Sequence, residues 1–328
     1  MLSYIFQRVL WAIPTLILIS ILTFIIIQLP PGDYLTAYVA QLSETGETVD
    51  EATIEILRER FGLNKPLYEQ YWTWISDIIF RGDFGQSLDW NVPVADLIWQ
   101  RVGLTILISF LSMIFTWLIA IPIGVYSATH QYTVFDYIFT ILGFVGRGIP
   151  NFLLALVLMW LAFAYLGINV GGLFSPEYTN APWSFRKFLD LLAHLWVPVI
   201  VLGTGGAAGL IRIVRANMLD EIYKPYVETA RAQGTAERRV IWKYPVRVAL
   251  NPFISTVGWA LPSLISGSII TAVVLNLPTT GPLLLRALLN QDMFLAGSFI
   301  LILSVFTLVG TLISDLLLVW VDPRIRFS

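Results

Sequence analysis

The sequence predicts an all-α membrane protein: six transmembrane helices, with a small helical extracytoplasmic subdomain between helices 1 and 2. Three observations carry this. Apolar residues make up 57% of the 328 and charged residues 13%, against roughly 25% charged in an ordinary globular domain. Six apolar stretches, approximately 9–29, 103–127, 136–166, 189–213, 249–276 and 295–321, are long enough to cross a bilayer. The charges are also segregated along the chain although they nearly cancel, at a net −2.

The first stretch, "VLWAIPTLILISILTFIIIQL", follows Arg8 and is longer than a signal-peptide core. No small-x-small cleavage pattern follows it, so it reads as a retained helix. The span ends carry Trp11, Tyr126, Tyr137, Tyr165 and Trp320, as interfacial belts do. Pro14, Pro122, Pro150 and Pro198 fall inside spans, where membrane helices tolerate proline.

Between the first two spans, "DEATIEILRERFGLNKPLYEQYWTWISDIIF" has apolar residues at helical spacing: Ile54, Leu57 and Phe61, then Leu67, Tyr71, Trp74 and Ile78. "NKP" separates two helices there, and "RGDFGQSL" is turn-rich. The expected organisation is a first helix at 1–29, an external helical segment at 30–100, a transmembrane domain at 101–321 and a tail at 322–328.

Orientation follows the cations. Segment 30–100 holds twelve acids against Arg58, Arg60, Lys65 and Arg81, whereas eight of the chain's twenty Lys and Arg lie between Arg212 and Arg247. Arg324 and Arg326 add to the tail. Loop 214–248 and both termini are therefore expected in the cytoplasm.

Several function classes find no support in the residues. With no cysteine and only His130 and His194, the chain has neither a Cys-based metal site nor an HExxH pair. It has no GxxxxGK[ST] loop to cradle nucleotide phosphates. "LGTGGAAG" at 202–209 lies in a span, with Gly205 and Gly209 at the spacing of close helix packing. An ion-coupled carrier would place acids deep in the membrane; Asp315 is the best candidate and reads better as a helix-end contact. Ser87 lies outside the spans, and His194 reads as an interfacial histidine.

The 214–248 loop reads as structured. In "KPYVETARAQG", Pro225 suits a first helical turn and Gly234 a C-terminal cap. Thr235 could cap a second helix with Glu237 in its first turn. Ala230, Ala232 and Gly234 would offer a surface for close approach, ringed by Arg231, Arg238 and Arg239. On residue chemistry alone, a basic loop against anionic headgroups fits equally well.

"ETARAQG" resembles the EAA signature of ABC-importer permeases: Glu228, Ala230 and Gly234 match, and Thr229 replaces the first alanine. "YIFQRVLWAIPTLILISILTFIII", "GLNKPLYEQYWTWISDIIFRGDFGQSL", "GIPNFLLALVL" and "DPRIR" resemble, in order, segments of the oligopeptide/dipeptide branch of that family. The I-x-L-P half of the signature is absent; "YPVRVALNP" stands there. The resemblance implies a type I ABC importer permease fold in a prokaryotic inner membrane. It also implies a coupling helix at Glu228, Thr229, Ala230, Arg231 and Gly234, seated on an ATPase subunit. The implied partners are a homologous second permease, two ATPases holding ATP-Mg, an extracytoplasmic solute-binding protein and the lipid bilayer, with no nucleic acid. This chain itself would bind no cofactor and catalyse nothing. The implied cargo is short peptides; oligosaccharides are the alternative, to which Tyr68, Tyr71, Trp72 and Trp74 would lend stacking surfaces.

Arg147, in "GFVGRGIPN" within the third span, departs from the small or apolar residue usual in the resembled family. A guanidinium at that depth is expected to face either a water-filled path or an acidic partner.

Overall fold

The computed structural model describes residues 2–29, 35, 39, 51–60, 62–179, 181–251, 253 and 269–321. Its principal helices are α1 (Leu2–Gln28), α2 (Glu51–Arg60), α3 (Leu67–Arg81), α4 (Val94–Thr129), α5 (Val134–Gly148), α6 (Asn151–Leu161, continued by a π-helical turn over Ala162–Leu166) and α7 (Phe185–Ile222). They are followed by α8 (Pro225–Ala232), α9 (Glu237–Lys243), α10 (Pro245–Ala249), α11 (Ile269–Val274), α12 (Thr280–Leu289) and α13 (Met293–Val321).

Four of the described helices are long and apolar enough to cross a membrane: Ile5–Gln28 of α1, α4, α7 and Met293–Val319 of α13. The expected single third span, 136–166, is instead a pair: α5 and α6 meet at 101°. The break falls at Ile149, whose ψ of 123° is extended, as the residue before a proline prefers. Pro14, Pro122 and Pro198 remain inside continuous helices. Gly146 and Gly148 flank Arg147 just before the break, and glycine weakens the helix there. Counting the bent pair as one, the described residues hold five spans. The expected fifth stretch, 249–276, lies mostly outside the described residues, as do the tail 322–328 and much of 30–50.

A second difference concerns α7. The fourth span was expected to end near residue 213, yet the helix continues to Ile222. At 38 residues it is roughly 57 Å long, well beyond a ~30 Å hydrocarbon core. Arg215, Ala216, Met218 and Leu219 are good helix formers with no glycine or proline among them. An apolar run marks where the membrane ends and carries no information about where the helix does.

The chain divides into two compact units, residues 1–104 with 279–308, and residues 105–278 with 309–328. In the first, Asp292 organises the start of α13. Its fully buried carboxylate accepts the Ser87 hydroxyl at 2.5 Å and the amides of Leu88 at 2.9 Å, Asp89 at 3.2 Å and Leu295 at 3.1 Å. Burial pushes this carboxyl above its ordinary range, while the four donors oppose that shift. Ser87 is thus a structural partner. Beside this turn Arg286 pairs with Asp89 at 2.8 Å and lies over the Trp90 ring at 4.5 Å.

In the second unit, Ala120, Val125 and Ala128 of α4, Val214 and Met218 of α7, Val246 and Ala249 of α10, and Phe253 form one buried cluster. Glycines let the helices approach. A Cβ on Gly124 would stand 2.6 Å from that of Val214, and one on Gly203 2.5 Å from the Phe115 ring. Gly205 and Gly209 face Asn151 and Arg147 at 3.0 Å and 3.7 Å by the same measure, so the GxxxG pair lies against the α5–α6 break. His194, expected at an interface, is 2% exposed and its Nδ1 lies 2.7 Å from the Asp190 carbonyl.

Candidate functional site

Helices α8 and α9 form a knuckle at the end of α7. A two-residue joint, Tyr223–Lys224, separates α7 from α8, which starts with Pro225 in its first turn. Proline costs no hydrogen bond there, because that amide has no helical acceptor. The helix closes in a Schellman arrangement: the Gly234 amide donates to Arg231 O at 2.9 Å and the Thr235 amide to Ala230 O at 3.3 Å. Gly234 has φ +76°, the left-handed conformation that this closure requires. The expected cap at Thr235 is not formed; α9 starts after Ala236 with no side-chain cap. Thr235 is taken up by its backbone bond to Ala230, which moves the helix start one residue on.

The two short helices share a small core of Val227, Ala230 and Val240, packed against Tyr244. Ala230, expected on the approach surface, is only 4% exposed. Its small side chain lets α8 and α9 close on each other. Arg231, expected to ring the contact, also turns inward. Its guanidinium bonds Glu237 through Nε at 3.0 Å and Nη2 at 2.8 Å, and Nη1 donates to Ile222 O at 3.2 Å. One side chain therefore ties α8 to α9 and to the end of α7. The hydrogen bond to Glu237 holds the Arg231 guanidinium above its ordinary range and the Glu237 carboxyl below its own. Glu221 adds a second tie, accepting from both Lys224 and the Tyr226 hydroxyl.

Glu228, Thr229, Ala232, Gln233, Gly234, Arg238 and Arg239 are left facing outward. The Thr229 hydroxyl is spent on Pro225 O at 2.8 Å. The Glu228 carboxylate makes no hydrogen bond or ion pair among the described residues. The site thus presents one unpaired carboxylate, small residues around a helix end and two arginines on a braced element. No group of three or more His, Cys, Asp or Glu among the described residues could hold a metal ion. Such a surface can bind and transmit force. Glu221 and the pairing of Glu237 with Arg231 are what sequence reasoning missed; an acid six positions after Arg231, across Gly234, was the available signal for the pair.

Arg147 lies elsewhere, at the end of α5 beside the break, exposed and without a hydrogen bond or ion pair among the described residues. The structure does not bring it to the knuckle residues.

Two family models match the chain. Residues 120–327 match the binding-protein-dependent transport system inner membrane component, and residues 1–109 match the N-terminal component of such membrane proteins. The chain belongs to this family. Among its curated relatives, the permease is 37% identical over 328 residues to the oligopeptide transport system permease protein AppB of Bacillus subtilis, covering all of both chains. It is 33% identical over 341 residues to the dipeptide transport system permease protein DppB of Alkalihalophilus pseudofirmus, and 31% over 328 to the glutathione transport system permease protein GsiC of Escherichia coli, again over the full length of each. The resemblance stated from the motifs is thus matched along the whole permease. Its fold is that of an all-α, multi-pass inner-membrane transport component.

Proposed function

We propose that this permease forms half of the translocation path of an ATP-driven importer for short peptides. It works beside a homologous second permease, with two ATPase subunits docked on the α8–α9 knuckle and a solute-binding protein delivering cargo from outside. The observation that carries this reading is the braced knuckle with an outward, unpaired Glu228 at the tip of a continuous α7. An ordinary headgroup-contacting loop has no need of such ties to its stalk, Arg231 to Ile222 O and both Lys224 and Tyr226 to Glu221. Relatives named for oligopeptide, dipeptide and glutathione transport favour peptides over oligosaccharides.

In this reading Glu228 and Thr229 contact the ATPase. Ala230, Arg231 and Gly234 give the element its shape. ATP binding draws the ATPases together, and the knuckle passes that displacement to α7 and the spans. Such switching needs contacts that differ between two states and no chemistry in this chain. Arg147 lines the path and meets the carboxylate of the passing peptide. An exposed guanidinium about 20 Å along α5 from Val134 requires water or an anion. The termini and the knuckle lie in the cytoplasm, on the charge asymmetry of the loops.

The test uses the whole transporter in proteoliposomes. The chain has no cysteine, so Thr229→Cys gives a unique thiol in this subunit. A crosslink from it to the ATPase that changes yield with ATP supports the reading. Uptake by this chain alone, driven by an ion gradient, overturns it.

A further inference from the structure

Helix α3, expected in the external helical segment, packs against α1 and α13. The Tyr71 hydroxyl lies 2.9 Å from Ser20 Oγ of α1, and the Phe24 ring packs against Tyr71 at 5.5 Å and Trp74 at 6.2 Å. Trp74 is 4% exposed, with its indole N–H directed at Ser298 of α13 at 3.3 Å. The apolar stretch Ile5–Gln28 is 24 residues, about 36 Å. Centred on a ~30 Å hydrocarbon core, it puts Ser20 roughly 9 Å inside the boundary. Tyr71 therefore reaches a level where only protein and acyl chains surround α1.

The apolar arc of α3 is wider than the surface that α1 and α13 cover. At 100° per residue, Tyr71, Trp74 and Ile78 fall together on the packed side, with Leu67, 55% exposed, at its start. Tyr68, Trp72, Ile75 and Ile79 continue the same arc, and of these Tyr68, Trp72 and Ile79 are 71%, 69% and 66% exposed. The polar residues Glu69, Gln70, Thr73 and Asp77 occupy the other side, where Phe80, 82% exposed, is the apolar exception at the Arg81 end. Gln70, Thr73 and Asp77 line a cavity of about 320 Å³ there, along with Lys65 and Gln86. Alongside, α1 leaves its own Ile17, Ile21 and Ile25 52%, 38% and 48% exposed, an apolar surface that suits lipid in a spanning helix.

We infer that α3 is an interfacial helix, sunk into the bilayer boundary along the Gln28 end of α1, with Tyr68, Trp72 and Ile79 covered by lipid. Its chemistry is that of a helix lying in the membrane plane: one apolar face bearing Trp and Tyr, and a polar face turned to water. The occupant is lipid because the uncovered arc continues, at the same depth, the lipid-facing surface of a spanning helix. The inference does not depend on which solute is carried or on where the ATPases dock.

The absence of cysteine makes the test direct. Nitroxide labels are placed singly on Trp72→Cys, Ile79→Cys, Glu69→Cys and Thr73→Cys in the complete transporter in lipid nanodiscs, with the unsubstituted assembly as the labelling blank. Collision rates with molecular oxygen and with a water-soluble nickel chelate are compared by electron paramagnetic resonance. The oxygen-to-nickel ratio is expected to be several-fold higher at 72 and 79 than at 69 and 73. A high nickel rate at 72 and 79 would show a water-facing helix and overturn the inference. Protection from both reagents would show a protein cover and overturn it equally. Trp72→Phe gives a second reading that perturbs folding little: the fluorescence it removes should be the part quenched by brominated phospholipid, and unquenched lost emission would contradict lipid contact.

Discussion

Arg215 on α7 holds the Asp136 carboxylate at the start of α5, 3.0 Å from Nη2 to Oδ2. The same oxygen accepts the Tyr132 amide at 3.1 Å, while Thr133 caps the helix. Asp136 is 3% exposed. Truncating Arg215 to Ala should strand this charge and cost about 3 kcal/mol, visible as a lowered melting temperature of the detergent-purified assembly. The double variant Asp136→Asn with Arg215→Met should recover most of the loss, because it leaves no buried charge without a partner.

Gly124 should tolerate no side chain while Val214 stays. Gly124→Ala puts a Cβ within 2.6 Å of the Val214 Cβ, so α4 and α7 must separate, at a cost of about 1–3 kcal/mol. Adding Val214→Gly, which removes that Cβ, should restore part of the stability. A double-mutant cycle on thermal unfolding measures the coupling; additive effects would contradict the contact.

Glu228→Ala should move the melting temperature of the permease little, since the exposed carboxylate makes no hydrogen bond or ion pair among the described residues and only a weak attraction to Arg231. Loss of an interfacial charge pair costs about 2 kcal/mol or more. ATPase affinity for the membrane subunits should therefore fall roughly 30-fold, and peptide-stimulated hydrolysis should drop with it. Titration of ATPase binding to nanodisc-held permease checks this.

The Arg231–Glu237 tie should respond to acid and be indifferent to alkali within the neutral range. Its hydrogen bond lowers the Glu237 carboxyl below the unfolded value, which is near 4.3. The stability from the pair is therefore complete above that value and is lost as pH falls through the lower, folded one. Both partners are partly exposed, at 32% and 55%, so the loss is small, about 0.2–1 kcal/mol. Hydrogen-exchange protection at the Gly234 and Thr235 amides, taken relative to the intrinsic rate at each pH, should fall below about pH 4. The Glu237→Gln variant should exchange faster already at neutral pH and show no such step.

Local chemistry made the knuckle legible: Pro225 and Gly234 bound α8 by backbone rules that need no partner from elsewhere. Its bracing was less so, because whether Arg231 turns outward or toward Glu237 depends on the angle between two short helices. The Asp292–Ser87 contact joins residues 205 apart in sequence, and no pattern within either segment announces it. Pro150 shows the same limit. Four prolines share an apolar setting, and only the one next to Gly146, Gly148 and an extended Ile149 ends its helix. Length of an apolar run likewise hid the last nine residues of α7, where charged side chains continue the helix.

The unbroken course of α7 has a mechanical corollary. Between Gly209 and Ile222 the helix holds no glycine or proline, and Arg231 and Glu221 clasp the joint at Tyr223–Lys224. On the proposed coupling role, a twist applied at Glu228 would meet its first compliant points at Gly209 and Gly205, beside the elbow near Arg147.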